Sequence, residues 1–249
     1  FSDRVKDYML KAIREAKVYT AWLRPNAAYE EACTNFVQAV LDNSKHNQFL
    51  QEFLSFQQKI TFYGIFNSLS QTLLKIVSPG VPDFYQGTEL WDLSLVDPDN
   101  RRPVDFEQRN FYLSEIKEKI KADISGSIAD LLANKEDGRI KLFLTHQVLK
   151  ARTKYLEVFQ QGEYQPLEAS GKHRENIVAF ARKFGNTTAI AIAPRFLTSL
   201  IQPGEYPLGE VWQDTYIQLP AETASQWEDA ITGQAIQSDG KLQIATVLK

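Results

Sequence analysis

Through the first 78 residues apolar positions return every three or four residues, the repeat of one helix face. Ser2 and Asp3 offer N-cap chemistry for a first helix whose apolar stripe is Val5, Tyr8, Met9, Ala12, Ile13 and Ala16. Pro25-Asn26 punctuates the chain. Tyr29, Ala32, Phe36, Val37, Val40 and Leu41 then repeat the pattern until Asp42-Asn43-Ser44. A longer apolar stretch runs from about Gln48 to Val77. Gly64 is where it is expected to split, because glycine weakens a helix interior by about 1 kcal/mol relative to alanine. Pro79-Gly80 stops it.

The period then changes. Val81-Pro82-Asp83-Phe84-Tyr85-Gln86-Gly87 is short, aromatic and closed by glycine, and it predicts a strand. A strand directly after a helix is the αβ step of an α/β fold. A long polar loop follows from Thr88 to Arg109, and helical patterns return at Phe111–Lys121, Ser127–Asn134 and Gly138–Thr153. From about Tyr155 the chain is β-rich. Ile177–Phe184 and Thr188–Ala193 predict a hairpin through Gly185-Asn186-Thr187. Thr215–Leu219 and Leu242–Leu248 are further strand candidates. A boundary near Lys154 divides a helix-rich part, residues 1–154, from an antiparallel β domain, residues 155–249.

Composition narrows the function classes. The chain has 249 residues, 43% hydrophobic and 24% charged, which is ordinary for a globular protein with a sizeable core. A formal net charge of −3, with no clustered Lys and Arg, leaves no footprint for nucleic acid. No run approaches the ~18 apolar residues of a membrane span, and no signal peptide is visible, so no membrane partner is expected. The single cysteine, Cys33, cannot form an intrachain disulfide, which fits a reducing, cytoplasmic setting. Its place in a helical stretch reads as a small core residue. His46, His146 and His173 lack metal-ligand spacing, so no metal is expected. GxSxG, GxGxxG and GK[ST] are all missing, which leaves hydrolase triads, nucleotide cofactors and P-loop chemistry without support.

The informative segment is PGVPDFYQGTELWDLSLVDPDNRRPVDFEQR, Pro79 to Arg109. It gathers Asp97, Asp99, Asn100, Arg101, Arg102 and Asp105 in one loop beyond the predicted strand. In parallel α/β barrels such loops build the active site. Sugar hydroxyls take paired hydrogen bonds from carboxylate, amide and guanidinium groups, and sugar rings rest on aromatic faces such as Tyr85 and Trp91. The competing reading is that these charges pair with one another and brace the loop, with Asp83 and Glu89 fixing its base. Spacing alone leaves both open.

PGVPDFYQGTELW resembles the last-strand region of the α-amylase family barrel. Its extension WDLSLVDPDNRRPVDFEQR is much narrower. Together with KAIREAKVYTAWLRPNAAYEEA (Lys11–Ala32), FYGIFNSLSQTLLKIVSPG (Phe62–Gly80), ENIVAFAR (Glu175–Arg182), YPLGEVWQDTYIQLP (Tyr206–Pro220) and the Trp227…Thr232-Gly233 stretch, it resembles the maltooligosyl trehalose synthases. The resemblance implies an α+β chain: helices plus the last strand of an incomplete (β/α)8 barrel, followed by an antiparallel β-sandwich-like C-terminal domain. It implies rearrangement of a reducing-end α-1,4 linkage of a maltooligosaccharide into an α,α-1,1 linkage. An Asp nucleophile and a Glu acid/base would act with retention, and no metal or organic cofactor is required. The family's catalytic carboxylates lie in motifs upstream of Lys11–Ala32, and no NHD- or HDTKR-like run is present here.

The expectation is therefore a C-terminal portion that is inactive alone, with no catalytic residue of its own. Its partners would be the maltooligosaccharide and the N-terminal part of its own chain. The start at Phe1, the single Met9 and a C-terminal end one strand short of the family's β domain are read in the same sense. Tyr85, Gln86, Glu89, Asp97, Asp99, Asn100, Arg101 and Arg102 are expected to contribute to the sugar site. The alternatives are another α-amylase-family hydrolase or glucosyltransferase, and a non-catalytic glucan-binding module with Trp212 and Trp227 as platforms rather than core residues. An isolated piece of barrel is expected to expose apolar surface over residues 48–90 and to self-associate.

Overall fold

The computed structural model describes residues 1–44, 46–220 and 223–249. The chain divides into two compact units, residues 1–60 with 92–104, and residues 61–91 with 105–249.

The first unit contains α1 (Ser2–Ala16), α2 (Ala27–Val40) and residues 48–60 of α3 (Gln48–Val77). Lys17, at φ 57°, turns the chain left-handed and ends α1. Asn26 caps α2 by accepting the N–H of Tyr29 at 3.2 Å. Helices α1 and α2 lie side by side, yet α1 buries no residue fully. Among the described residues of this unit only Thr20, Glu30 and Val37 are buried. Cys33 is half-buried on α2 rather than a core residue, because no cluster forms around that face.

The second unit holds every buried hydrophobic cluster found among the described residues. Helix α3 runs unbroken through the expected split at Gly64. Its neighbours Tyr63, Ile65 and Phe66 are buried, and that packing outweighs the local propensity cost of an exposed glycine. Helices α4 (Phe106–Ala122), α5 (Ile124–Ala133) and α6 (Arg139–Lys154) close around Ile116, Leu131, Ile140 and Phe143. Asp105 caps α4 by accepting the N–H of Gln108 at 2.8 Å. A second cluster joins the end of α3 (Ile76, Val77) to α6 (Val148), to the short α7 (Leu156–Gln160) through Phe159, and to the sheet through Phe180 and Ala191.

The strand expected at 81–87 does not form. Residues 81–85 have no regular structure, no described segment pairs with them, and the N–H of Thr88 bonds to the carbonyl of Tyr85 at 3.1 Å in a turn. A segment becomes a strand only with a ladder partner.

Among the described residues eight short strands follow: β1 (Glu163–Pro166), β2 (Ala169–Ser170), β3 (Ile177–Phe184), β4 (Thr187–Pro194), β5 (Tyr216–Gln218), β6 (Gln226–Glu228), β7 (Ala235–Gln237) and β8 (Lys241–Gln243). All pairings are antiparallel: β1-β3-β4, β2-β5-β8 and the ribbon β6-β7. The predicted hairpin is β3–β4, with Phe184 opposite Thr187 across Gly185-Asn186, and Gly185 supplies φ 56°. The two three-stranded sheets share a core of Leu167, Ile177, Ala179, Ala181, Trp212, Ile217 and Ile244. The strand expected over Leu242–Leu248 stops at Gln243. Ile244–Val247 forms the single turn α8, with the Leu248 N–H bonded to the Ile244 carbonyl at 2.8 Å.

Two buried arginines lock the centre of this unit. Arg152 on α6 donates to the carbonyls of Ile76 at 2.5 Å and Gly80 at 2.6 Å. Arg182 on β3 donates to Phe159 at 3.0 Å, Gly162 at 2.9 Å and Val77 at 3.5 Å. Gly162 is required there, since a Cβ would stand 2.2 Å from the Val158 carbonyl. Replacing Arg152 with Met keeps the apolar stem but leaves buried carbonyls unpaired. Arg152→Met is expected to cost about 2–4 kcal/mol and to lower Tm by roughly 5–15 °C in thermal unfolding. An unchanged Tm would show that water replaces the guanidinium at no cost.

Candidate functional site

The expected site segment falls in both units. Residues 92–104 belong to the first, and 79–91 with 105–109 to the second.

In the first unit Asp99 is the hub. It opens a single 3-10 turn, Asp99–Arg101. Nε and Nη2 of Arg4, on α1, donate to its two carboxylate oxygens at 2.8 and 2.7 Å. The same Nη2 reaches the Leu93 carbonyl at 3.0 Å. The Leu95 N–H adds a bond to Asp99 Oδ2 at 2.6 Å. Arg102 donates through Nε to the Asp99 carbonyl at 3.0 Å and through Nη2 to Ser94 Oγ at 3.3 Å. The Arg4 hydrogen bond, with the Leu95 N–H behind it, holds the Asp99 carboxyl well below the usual carboxylate range.

Asp97 forms the second node. Arg101 pairs with its carboxylate. Lys11, also on α1, donates to its carbonyl and stands 3.7 Å from its carboxylate. Asn100 follows Asp99 in the 3-10 turn and is half-buried. The charges of this loop therefore do pair with one another. Even so, the side chains of Arg101 and Arg102 remain 72% and 54% exposed, against 13% for Asp99.

In the second unit Tyr85 and Gln86 are exposed on the turn that ends the 81–85 segment, with Tyr85 at 48%. Glu89 is half-buried and paired with Arg109 at 2.9 Å, while Arg109 also donates to the Gly87 carbonyl at 2.8 Å. Trp91 is half-buried and fixed by its Nε1 bond to the Lys135 carbonyl at 2.8 Å. Asp105 serves as the cap of α4. Trp212 is fully buried and donates to the Pro207 carbonyl at 2.9 Å, so it cannot serve as a sugar platform. Trp227 is half-buried against Ile236 and bonds Ser238 Oγ at 3.0 Å.

Of the histidines, His46 is exposed and His173 half-buried. Burial, with Lys117 and Lys150 nearby, pushes the half-buried His146 imidazole below its ordinary value. Among the described residues no three His, Cys, Asp or Glu side chains gather as a metal site, and no helix is long and apolar enough to cross a membrane.

Arg4 and Lys11 escape a reading of the sequence by motif. Their signal is a seven-residue spacing, which puts both on one face of α1.

No protein-family model matches the chain. A Mycobacterium tuberculosis protein is 33% identical over 230 residues, covering 92% of this chain and 25% of its own length. The Arthrobacter ramosus structure matches with a TM-score of 0.73 at 31% identity, covering 98% of this chain and 28% of the solved one. A Sulfolobus tokodaii structure gives a TM-score of 0.65 at 30% identity, again over 98% of this chain and 28% of its own. These relatives are enzymes, all synthases of one kind. Each carries the name maltooligosyl trehalose synthase, and the chain matches that family over nearly its whole length, resembling the C-terminal part. It spans about a quarter of the length of the curated relatives it matches.

The first unit also contains a carboxylate whose titration is measurable. Glu30 accepts two bonds from Arg14, at 2.8 and 2.7 Å, and one from Thr20 Oγ1 at 2.6 Å. Arg14 first, then Thr20, lowers its pKa from 4.5 to about 2. The unfolded chain takes up this proton at the higher pH, so the pairing of α1 with α2 is fully stabilising above pH 4.5 and is lost as pH falls towards about 2. Carboxyl NMR titration should find Glu30 at the low value, and Glu30→Gln should remove this part of the acid sensitivity. A Glu30 carboxyl titrating at its ordinary value would refute the pairing.

Proposed function

We propose that this chain is the C-terminal portion of an enzyme that converts the reducing-end α-1,4 linkage of a maltooligosaccharide into an α,α-1,1 linkage, forming maltooligosyl trehalose. The observation that carries the reading is 33% identity to a maltooligosyl trehalose synthase over 92% of the chain. The reaction is an intramolecular transglycosylation with retention. An Asp attacks the anomeric carbon, and a Glu protonates the leaving oxygen and later activates the incoming hydroxyl. The released glucose stays bound, turns and attacks through its own anomeric hydroxyl. Excluding water favours this transfer over hydrolysis.

The reacting carboxylates are assigned to the part of the longer enzyme that this chain does not match, and the chain by itself is inactive. Residues 1–154 are assigned to the catalytic barrel, with 81–87 as its last strand once a neighbouring strand supplies the ladder. Residues 155–249 are assigned to the C-terminal β domain. This division is one of role along the sequence and not one of compactness. In the first unit Asp97, Asp99, Asn100, Arg101 and Arg102 are assigned to sugar binding, and the exposed guanidiniums of Arg101 and Arg102 support this. In the second, Tyr85, Gln86 and Glu89 receive the same role, supported by the exposed ring of Tyr85. The enzyme is placed in the cytoplasm, in line with the single unpaired cysteine of this chain.

The remaining polypeptide of the longer enzyme is the partner assigned to α3. Phe49, Phe53, Phe56 and Ile60 are 55%, 45%, 60% and 53% exposed, and Phe49 stacks on Phe53 with centroids 5.8 Å apart. Such a row on one short helical stretch is unusual for a surface that faces only water. In sedimentation the isolated chain is expected to self-associate with rising concentration, and Phe53→Asp with Phe56→Asp to abolish this. A strictly monomeric wild-type chain would remove the support.

The longer enzyme incubated with maltopentaose should lose reducing ends without shortening the sugar. Shorter products would point to a hydrolase instead. Arg101→Ala should lower kcat/KM roughly tenfold, the loss of one charge-assisted hydrogen bond, or raise the share of hydrolysis. Wild-type kinetics and product ratio would end the assignment of this loop.

A further inference from the structure

We infer that Arg4 is a positioning residue for the sugar-site loop, acting through Asp99 on the exposed Arg102. The inference rests on the assignment of that loop to the sugar site.

Helix α1 grips the loop at two points, and each grip carries one exposed arginine. At the first, the fork of Arg4 occupies both carboxylate oxygens of Asp99, and Arg102 bonds to the carbonyl of the same residue at 3.0 Å. At the second, Lys11 holds the carbonyl of Asp97, whose carboxylate pairs with Arg101. Arg4 also fixes the entry to the loop at the Leu93 carbonyl, 3.0 Å away, while Arg102 returns to Ser94 at 3.3 Å. The 3-10 turn Asp99–Arg101 is thus closed from both sides, with the Arg101 N–H bonded to the Pro98 carbonyl at 3.0 Å.

Bidentate geometry matters more than charge here. A guanidinium fork sets both the distance and the plane of the carboxylate it holds, whereas an ammonium group fixes only a distance. The Arg4 side chain is 30% exposed and that of Asp99 13%, so this pair is better shielded than Arg102, which it orients and whose side chain is 54% exposed. The arrangement has the form of a sheltered clamp beneath two exposed binding groups. A site must hold its polar groups within a fraction of an ångström to favour transfer over hydrolysis, and the two grips from α1 supply that constraint.

The test uses the longer enzyme containing this chain, with maltopentaose as substrate. Arg4→Ala, Arg4→Lys, the pair Arg101→Ala/Arg102→Ala, and all three alanine changes together are compared. kcat/KM, the ratio of glucose released to sugar rearranged, and Tm are read for each. Arg4→Ala is expected to lower kcat/KM roughly tenfold and to raise the released glucose, with Arg4→Lys restoring less than half of the loss because it lacks the fork. In the Arg101→Ala/Arg102→Ala background, Arg4→Ala should cost nothing further, since its effect passes through Arg102. The same fractional loss in both backgrounds would mean that Arg4 only supports the fold, and would overturn this inference alone. Full rescue by Arg4→Lys would overturn it too, and that variant keeps the test open if the alanine protein does not fold. Wild-type kinetics for the double arginine variant would instead sink the loop assignment, and hydrolysis of maltopentaose without rearrangement would sink the proposed function.

Discussion

The second unit depends on how the C-terminal end of α3 is satisfied. The last carbonyls of a helix have no partners within it, and here they are buried. Arg152 and Arg182 supply the donors from α6 and β3, and in doing so tie the helix end, the segment from Gly80, α7 and the sheet to one point. Among the described residues neither arginine has a carboxylate partner within ion-pair distance. Burial first, and the charge of Arg152 second, lower the pKa of Arg182. The negative end of the α3 dipole and a ring of carbonyls offset that cost. A lysine would not reach the same set, because a single ammonium cannot serve carbonyls spread over several elements.

The first unit is built on a different principle. Its buried residues, among those described, are two polar side chains and one valine, Thr20, Glu30 and Val37, so little hydrophobic burial holds it together. Its specific contacts are ionic: Arg14 with Glu30, Arg4 with Asp99, Lys11 and Arg101 with Asp97. Exposed ion pairs contribute little individually, but sheltered bidentate pairs fix geometry well. Phe36, Phe49, Phe56 and Leu23 remain largely exposed in the same unit.

The helices were legible because their apolar residues repeat at the helical period; the caps at Asn26 and Asp105 were not read from the sequence, and the cap offered at Ser2 or Asp3 does not form, since Phe1 precedes α1 with no side-chain bond. The β3–β4 hairpin was legible because Gly185-Asn186 is a turn signal between β-rich runs. The strand at 81–87 was misread because a strand needs a neighbour that this segment does not have here. The residues beyond Gln243 were misread because a short run such as Leu242–Leu248 carries no period that separates a strand from a helical turn. Strands β1, β2, β6 and β7 were missed, being too short and too polar to show alternation.

For the candidate site, the sequence by itself determined the composition of the loop and the two readings open to it, binding or bracing. It also carried the family resemblance, because short motifs survive as strings of residues. Only the tertiary structure decided which charges neutralise which. Asp99 is sheltered by Arg4 from a helix some ninety positions earlier in the chain, while Arg101 and Arg102 stay exposed. No local pattern encodes that choice, since it is made by a packed helix presenting two cations, one helix face apart by seven residues, to a loop distant in sequence.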